Sequence, residues 1–532
     1  MMTKKIEPLS KLEILKASAD PLLVIDDIYE EVNTGKKIAP ERINLLKWYG
    51  MYPHRTSDWH DATDYYMKRI KIVSGKLNLK QIETLADIGI NKARNFVDFT
   101  TRQNIQLHYV TIKDLPEIFN ALSSVGISSR LASGDCPRAI TSCPLSGYEH
   151  DEIIDTTDIV RELNDFFDLN STAFDNLPRK FKIGISGCQK HCVNHEIQDL
   201  AFTAFKEGDE VLFDLSIAGG LSKSQRIGVR AKRYVKKEEI IDVSAAVARI
   251  FNDFGNRHDR SRARVRHLYA DWGIEKLVDT IEEYIGYKLT YGENEPKITP
   301  YEQRGHFGIS KSKTSGKVNI GFATNGGRVG GSGLKSIHAI LSRYGGEGIA
   351  LTTTQNFIAL NVPSDSADEL INEMRIAGFN ASPSVFKART QSCTGVDFCK
   401  FAVSETKDFA STLIKFLESE FSDFNEPLSI SVAGCTHGCS QPTIVDIGLV
   451  GTKVKTENGR ENGFEIFVGG HLEGSERSFF GNSTGIKETP ENIKKIIASW
   501  IKEYISKKEN FDSFSKYLRA KDFGLDSANQ PL

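Results

Sequence analysis

The residues best able to do chemistry are cysteines, and they come in spaced pairs. Cys393 and Cys399 stand in SCTGVDFC, and Cys435 and Cys439 in AGCTHGCSQP, giving C-x5-C and C-x3-C. Four thiolates on two short loops can wrap one iron-sulfur cluster, because each loop can aim its sulfurs inward. Other uses of these residues stay open at this level. Structural zinc favours two to four residues between paired ligands, which suits the second pair and not the first. Disulfides need an oxidising compartment, and MMTKKIEPLSKLEILK has no apolar run of the export-signal kind. Ordinary buried thiols, packing as small apolar groups, are the remaining alternative.

All eight cysteines fall into two quartets of similar layout, the other being Cys136, Cys143, Cys188 and Cys192. None is left over, which points to assigned roles in a reducing, cytoplasmic compartment. For this first quartet the expectation to test is a second cluster or a metal inherited from a duplicated ancestor, set against small buried residues near a substrate loop.

Basic residues gather in the first half. Arg102 lies in TTRQN, Arg138 in GDCPR, and Arg179, Lys180 and Lys182 in LPRKFK; the second half has Thr354 in the place of Arg102. Strand alternation puts Lys180 and Lys182 on one face. Cations in one half and cluster-type cysteines in the other describe an anion-binding side facing an electron-carrying side.

The elements that must position these groups are legible from periodicity. YYMKRIKI alternates as a strand, KLNLKQIETLADIGI is amphipathic in the helical sense, and TTRQNIQLHYV leads into a second strand. LPRKFKIGISGCQKHC places a strand directly before Cys188. Ile240, Val243, Val247, Ile250, Phe251 and Phe254 share a helix face that Gly255 should end. A last long helix opens with Thr489 as N-cap and Pro490 in its first turn, and carries Ile493, Ile496, Ile497, Trp500, Ile501 and Tyr504 as a packing face. The stretch YKLTYGENEPKITPYEQR reads as a midpoint linker.

The pattern then repeats. TTRQN at Thr100 returns as TTTQN at Thr352, ISGCQKHC ending at Cys192 returns as VAGCTHGC ending at Cys439, and IAGG from Ile217 returns as FVGG from Phe467. Nearly constant offsets are the mark of a gene duplication. Two homologous halves in pseudo-twofold contact would make their interface the natural cofactor site. Composition agrees with a large cofactor in a globular chain. The protein has 532 residues, 39% apolar and 26% charged, with 68 basic against 70 acidic groups. Such a near-zero balance supplies no field for nucleic acid, and runs like Pro21 to Ile25 are too short to enter a membrane.

Taken together, C-x5-C with C-x3-C, TTRQN, GDxxR, LPRKFK and the duplication resemble the siroheme-dependent sulfite and nitrite reductases, over roughly residues 45 to 510. The resemblance implies an α+β, internally duplicated nitrite/sulfite reductase fold. It would comprise two ferredoxin-like half-domains (61–125 and 304–380) and two α/β hemoprotein domains (126–285, substrate side, and 381–510, cluster side). An N-terminal arm (1–60), a linker (286–303) and a C-terminal tail (511–532) complete the chain. By the same resemblance Cys393, Cys399, Cys435 and Cys439 hold a [4Fe-4S] cluster and Cys439 also bridges to siroheme. Arg102, Arg138, Lys180 and Lys182 face the anionic substrate, and Arg179 holds carboxylates of the macrocycle. Lys182 favours sulfite, since nitrite reducers of the family commonly carry Asn there. Thr436 and His437 depart from the family's usual Pro-Asn; His437 reads as a hydrogen-bonding loop residue.

The implied activity is six-electron reduction of sulfite to sulfide, with reduction of nitrite to ammonia as the alternative. No flavin or nicotinamide fingerprint and no inserted ferredoxin motif is present, so an external donor such as ferredoxin is expected. From another class, a non-catalytic, metal-stabilised binding protein would use RIGVRAKRYVKK (Arg226, Arg230, Lys232, Arg233, Lys236, Lys237) and RHDRSRARVRH to hold an acidic partner.

Overall fold

In the computed structural model, which describes residues 8–55, 64–457 and 459–523, each half builds the same pair of sheets. The smaller sheet of the first half is antiparallel, in the order Met51–Pro53, Tyr66–Ile70, Ile105–Val110, Val97–Phe99. Its counterpart runs Gly308–Lys311, Lys317–Phe322, Phe357–Pro363, Gly348–Leu351, and then takes Lys76–Asn78 from the first half as its edge strand. The start of KLNLKQIETLADIGI is therefore not helix: KLN crosses to the other half's sheet, and Leu79–Lys92 is the helix. Asn78 makes the switch, accepting Gln81 N–H at 2.9 Å while Gln81 Oε1 accepts the Asn78 N–H at 3.0 Å.

The larger sheets are mixed. In the first half Thr141–Ser142, Ile183–Ser186 and Leu200–Glu207 run parallel, and Glu210–Ile217, Val229–Val235 and Thr290–Tyr291 continue antiparallel. In the second half the parallel strands are Thr390–Ser392, Ile430–Ala433 and Ile447–Thr456, followed by antiparallel Gly459–Val468 and Asn482–Glu488. IGIS and ISVA are buried at every position, as strands covered on both faces must be. Each opens directly into a cysteine turn.

The repeat also supplies the contacts that join the halves. Gln103 Nε2 donates to Ser142 O and Leu351 O, both at 2.9 Å, and Gln103 Oε1 accepts Ser142 N–H at 3.0 Å. Gln355 does the same with Ser392 and Phe99. Each glutamine satisfies buried backbone groups of its own half and one of the other, so neither half closes its hydrogen bonding alone. Helices Leu79–Lys92 and Gly330–Arg343 cross at Gly89 and Gly331, where an added Cβ on Gly331 would lie 2.7 Å from Ile90 N.

The helix Ile240–Phe254 ends at Gly255 as its periodicity requires, in extended conformation (φ −68°, ψ 143°). Glycine is required there for room, because a Cβ would meet Phe251 O at 2.4 Å and Pro178 Cγ at 2.7 Å. The midpoint stretch packs into the fold: Ile298, Tyr301 and Arg304 are buried. At the other end of the chain, Thr489 precedes Pro490–Ser506 without a side-chain capping bond, and Ile493, Ile497, Trp500, Ile501 and Tyr504 are buried as the periodicity requires. The helix Phe514–Ala520 adds Phe514, Tyr517 and Leu518 to the same core.

Because the Gly89–Gly331 crossing has no spare volume, Gly331→Ala is expected to lower the thermal unfolding midpoint by an amount equivalent to about 1–3 kcal/mol. Gly305→Ala, whose new methyl meets only Phe307 at 3.8 Å, is the control and should leave the midpoint unchanged.

Candidate active site

The four C-terminal cysteines all sit on turns just past strand ends. Cys393 follows Thr390–Ser392, and its Sγ accepts the Gly434 N–H at 3.1 Å. Cys399 is fixed by its N–H to Gly395 O at 3.0 Å and has the Phe401 and Ala402 amides directed at its sulfur. Cys435 and Cys439 bracket a turn closed by Gly438 N–H to Cys435 O at 3.4 Å, with Gly438 left-handed at φ +63°. All four thiols are free, and Cys439 is the exposed one. Among the described residues no three of them bring their sulfurs within 4.8 Å of one another, a spacing wider than a single ion requires. Free thiols, amide donors and wide spacing fit a polynuclear cluster. His437 Nδ1 lies 3.4 Å from Cys435 Sγ and its ring 4.9 Å from Phe401, a loop position that supports the cysteine turn.

Opposite Cys439 stands the first half's basic wall. The Thr101 hydroxyl donates to Cys439 O at 3.3 Å, which sets TTRQN against the cysteine turn. Arg102 NH1 donates to Gln198 Oε1 at 2.8 Å and NH2 to Ala139 O at 2.5 Å, while its Nε is buried without a partner. Arg138 is held by Nε and NH2 on Gly134 O, at 3.0 and 2.7 Å. Phe181 is fully buried in the core and bridges Pro137, so its neighbours Lys180 and Lys182 turn to the same side, away from that core. Neither lysine Nζ has a hydrogen-bond or ion-pair partner among the described residues. Arg179 lies 3.9 Å from Asp135 and within electrostatic reach of Lys180 and His437.

This wall carries positive charge that the protein does not neutralise. Burial, then Arg264 and Arg138, pushes Lys180 down to about 7, although Cys439 pulls the other way. Burial and Lys180, with Arg102 and Arg264 behind them, hold Lys182 well below the usual range. Arg102 is lowered to about 9 by burial and by Arg138. The sequence reading missed Arg264, Arg266 and Asp199. Asp199 accepts Arg264 Nε at 3.0 Å and NH2 at 2.7 Å, and also the Lys182 N–H at 2.9 Å, so it orients both. Arg266 has Nε and NH1 buried and unpartnered. The alternation in RSRARVRH was the available signal for this pair. Unpartnered guanidinium nitrogens around a cleft suit a polycarboxylate macrocycle together with an anionic substrate.

The two basic stretches are otherwise spoken for. Arg230 pairs with Asp214, Lys232 with Glu293, Arg233 with Glu282 and Lys236 with Glu210. Arg257 and Arg260 clamp Glu13 of the N-terminal arm. These pairs tie both stretches to the fold.

A duplicated chain with a cluster-type cysteine set facing an uncompensated cationic wall defines a redox enzyme of anionic substrates. Comparison with known proteins agrees. The "Nitrite and sulphite reductase 4Fe-4S domain" matches residues 133–289 and 387–510, and the "Nitrite/Sulfite reductase ferredoxin-like half domain" matches 60–125 and 311–375. The chain belongs to the nitrite and sulphite reductase family, an enzymatic family whose cofactors are a [4Fe-4S] cluster and siroheme. It is 32% identical over 97% of its length to sulfite reductase [ferredoxin] 1 of Mycolicibacterium paratuberculosis, covering 95% of that protein. It is also 32% identical over 88% of its length to the ferredoxin–nitrite reductase of Synechococcus elongatus, covering 92% of it. The structure superposes on that of the Mycobacterium tuberculosis NirA protein with a TM-score of 0.92, 29% identity and 97% coverage of both chains. No described helix is long and apolar enough to cross a membrane.

A lysine that loses its proton near pH 7 makes anion binding pH-dependent. Lys180 is charged below about 7 and neutral above, whereas sulfate keeps its charge across that range. The inhibition constant for sulfate should therefore rise above pH 7 by up to about tenfold per pH unit. Lys180→Gln should weaken sulfate and flatten the profile; a flat profile in the unmutated enzyme would contradict the assignment.

Proposed function

We propose that this chain is a sulfite reductase that takes sulfite to sulfide in the cleft between its halves, using electrons from an external donor such as ferredoxin in a reducing, cytoplasmic compartment. In this reading Cys393, Cys399, Cys435 and Cys439 hold the [4Fe-4S] cluster, Cys439 is shared with siroheme, and Arg179 is a contact for a macrocycle carboxylate. When bound, the cluster and siroheme would supply the redox chemistry, passing on the six electrons that the external donor provides. The observation that carries the reading is the group Arg102, Arg138, Lys180 and Lys182, unneutralised and opposite Cys439.

These side chains divide the remaining work. Arg102 has NH1 and NH2 committed to Gln198 and Ala139, and Arg138 has Nε and NH2 committed to Gly134, so each guanidinium is held in one orientation. A fixed fork binds an oxyanion with little further loss of freedom. Each oxygen of sulfite leaves as water and needs two protons. Lys180, at about 7, can release a proton from Nζ and recover one at neutral pH, which suits repeated delivery. Lys182 sits beside it, its backbone N–H held by Asp199 and its Nζ without a partner among the described residues.

Nitrite is the second reading, favoured by the 32% identity to a nitrite reductase. Side-by-side turnover of the two anions separates them. Sulfite should be reduced with the higher specificity, and Lys182→Asn should cut sulfite kcat/KM by at least about tenfold, the scale of one lost proton-transfer or charge contact. Far higher nitrite specificity in the unmutated enzyme would reject sulfite as the substrate. Cys435→Ser should remove the cluster's visible absorption together with turnover.

A further inference from the structure

The other cysteine quartet is reorganised by the fold. Cys136 leaves it: its Sγ lies 3.1 Å from Ser133 O, and the residue packs in the core of the first small sheet. Cys143, Cys188 and Cys192 converge instead, with all three sulfurs within 4.8 Å of one another and the residues at most 6% exposed. They sit on the turns that correspond, half to half, to those of Cys393, Cys435 and Cys439. His191 N–H closes on Cys188 O at 3.4 Å with φ +48°, as Gly438 closes on Cys435. Thr353 donates to Cys192 O at 2.6 Å, as Thr101 donates to Cys439 O.

The fourth place of the set is also filled. Glu149 N–H bonds Leu145 O at 2.9 Å, the same i to i−4 contact that fixes Cys399 on Gly395. Glu149 therefore stands where the cluster side has its fourth cysteine. Its carboxylate is within electrostatic reach of Cys188 and Cys192, and Lys190 Nζ, 3.0 Å from Glu149 Oε1, balances part of the charge. His306 lies beside Cys188 with its Nε2 buried and unpartnered.

Spacing selects the occupant. Four ligands around one tetrahedral ion with bonds of about 2.3 Å place sulfurs about 3.8 Å apart, inside the observed limit. A cubane cluster spreads its ligand sulfurs farther, as the C-terminal quartet does. We propose that Cys143, Cys188, Cys192 and Glu149 bind a single divalent zinc ion, a structural site that the duplication left in the place of a second cluster. Three thiolates and a carboxylate make a soft, anionic donor set that zinc satisfies without redox chemistry. Packing as small apolar groups beside Leu145, Ala350, Ile358 and Leu360 explains burial but not why three sulfurs converge on one another.

Elemental analysis of the purified holoenzyme, with acid-labile sulfide measured on the same sample, tests this. About one zinc per chain should accompany the sulfide of one cluster, and X-ray absorption at the zinc edge should show a sulfur-rich shell at about 2.3 Å. The double variant Cys143→Ser/Cys188→Ser should lose at least about tenfold in zinc content while keeping the siroheme spectrum and sulfide. Should that variant fail to fold, Glu149→Gln keeps all the thiols and should bind zinc at least about tenfold more weakly in a chelator competition. Twice the sulfide, no zinc in the unmutated protein, or zinc unchanged in these variants would each overturn the proposal.

Discussion

Like charges held together out of water are the constraint on which this molecule is built. Arg102, Arg138, Lys180, Lys182, Arg264 and Arg266 lie within electrostatic reach of one another, and Asp199 is the carboxylate set among them. Burial first, and then the neighbouring cations, make Lys180 and Lys182 hold their protons weakly. Such an arrangement persists only where the surrounding structure is rigid enough to refuse relaxation. The reciprocal glutamines, the glycine crossing and the exchanged strand Lys76–Asn78 provide that rigidity, and all of them tie one half to the other.

Duplication explains the layout, and divergence explains the chemistry. A twofold pair of lobes should present two equivalent clefts. The linker runs where the second would open: Thr299 N–H donates to His191 Nδ1 at 3.1 Å, and Arg389 donates to the carbonyls of Tyr301, Glu302 and Arg304. Arg304 is in turn locked in a buried pair with Glu196 at 2.6 Å. Cations on this side are consumed by the protein's own backbone and carboxylates. On the other side the Lys180 and Lys182 amines have no partner among the described residues.

The cysteine sets follow the same division. Beside the open cleft the sulfurs stay apart and partly exposed; beside the plugged one three of them close up under apolar cover. Asn194 and Gln441, which follow the two turns at matching positions, meet across the dyad at 3.2 Å. The two metal-type turns are therefore neighbours in one rigid frame, and changes in one are mechanically close to the other.

The sequence alone determined the duplication, the open-cleft cysteines, the cationic motifs and most strands and helices, because each is written in local spacing or periodicity: TTRQN against TTTQN, C-x5-C with C-x3-C, IGIS before Cys188. It could not tell that KLN belongs to the opposite sheet, that the polar linker is buried, or that Arg264 and Arg266 join the cleft while Arg230 and Arg233 do not. Nor could it show that Cys143, Cys188 and Cys192 converge while Cys136 packs in the core of the small sheet. Those outcomes depend on which distant groups meet, and only the packing of one half on the other decides that: a lysine or cysteine reads the same in the chain whether its neighbour in space is a carboxylate, a carbonyl or an open cleft.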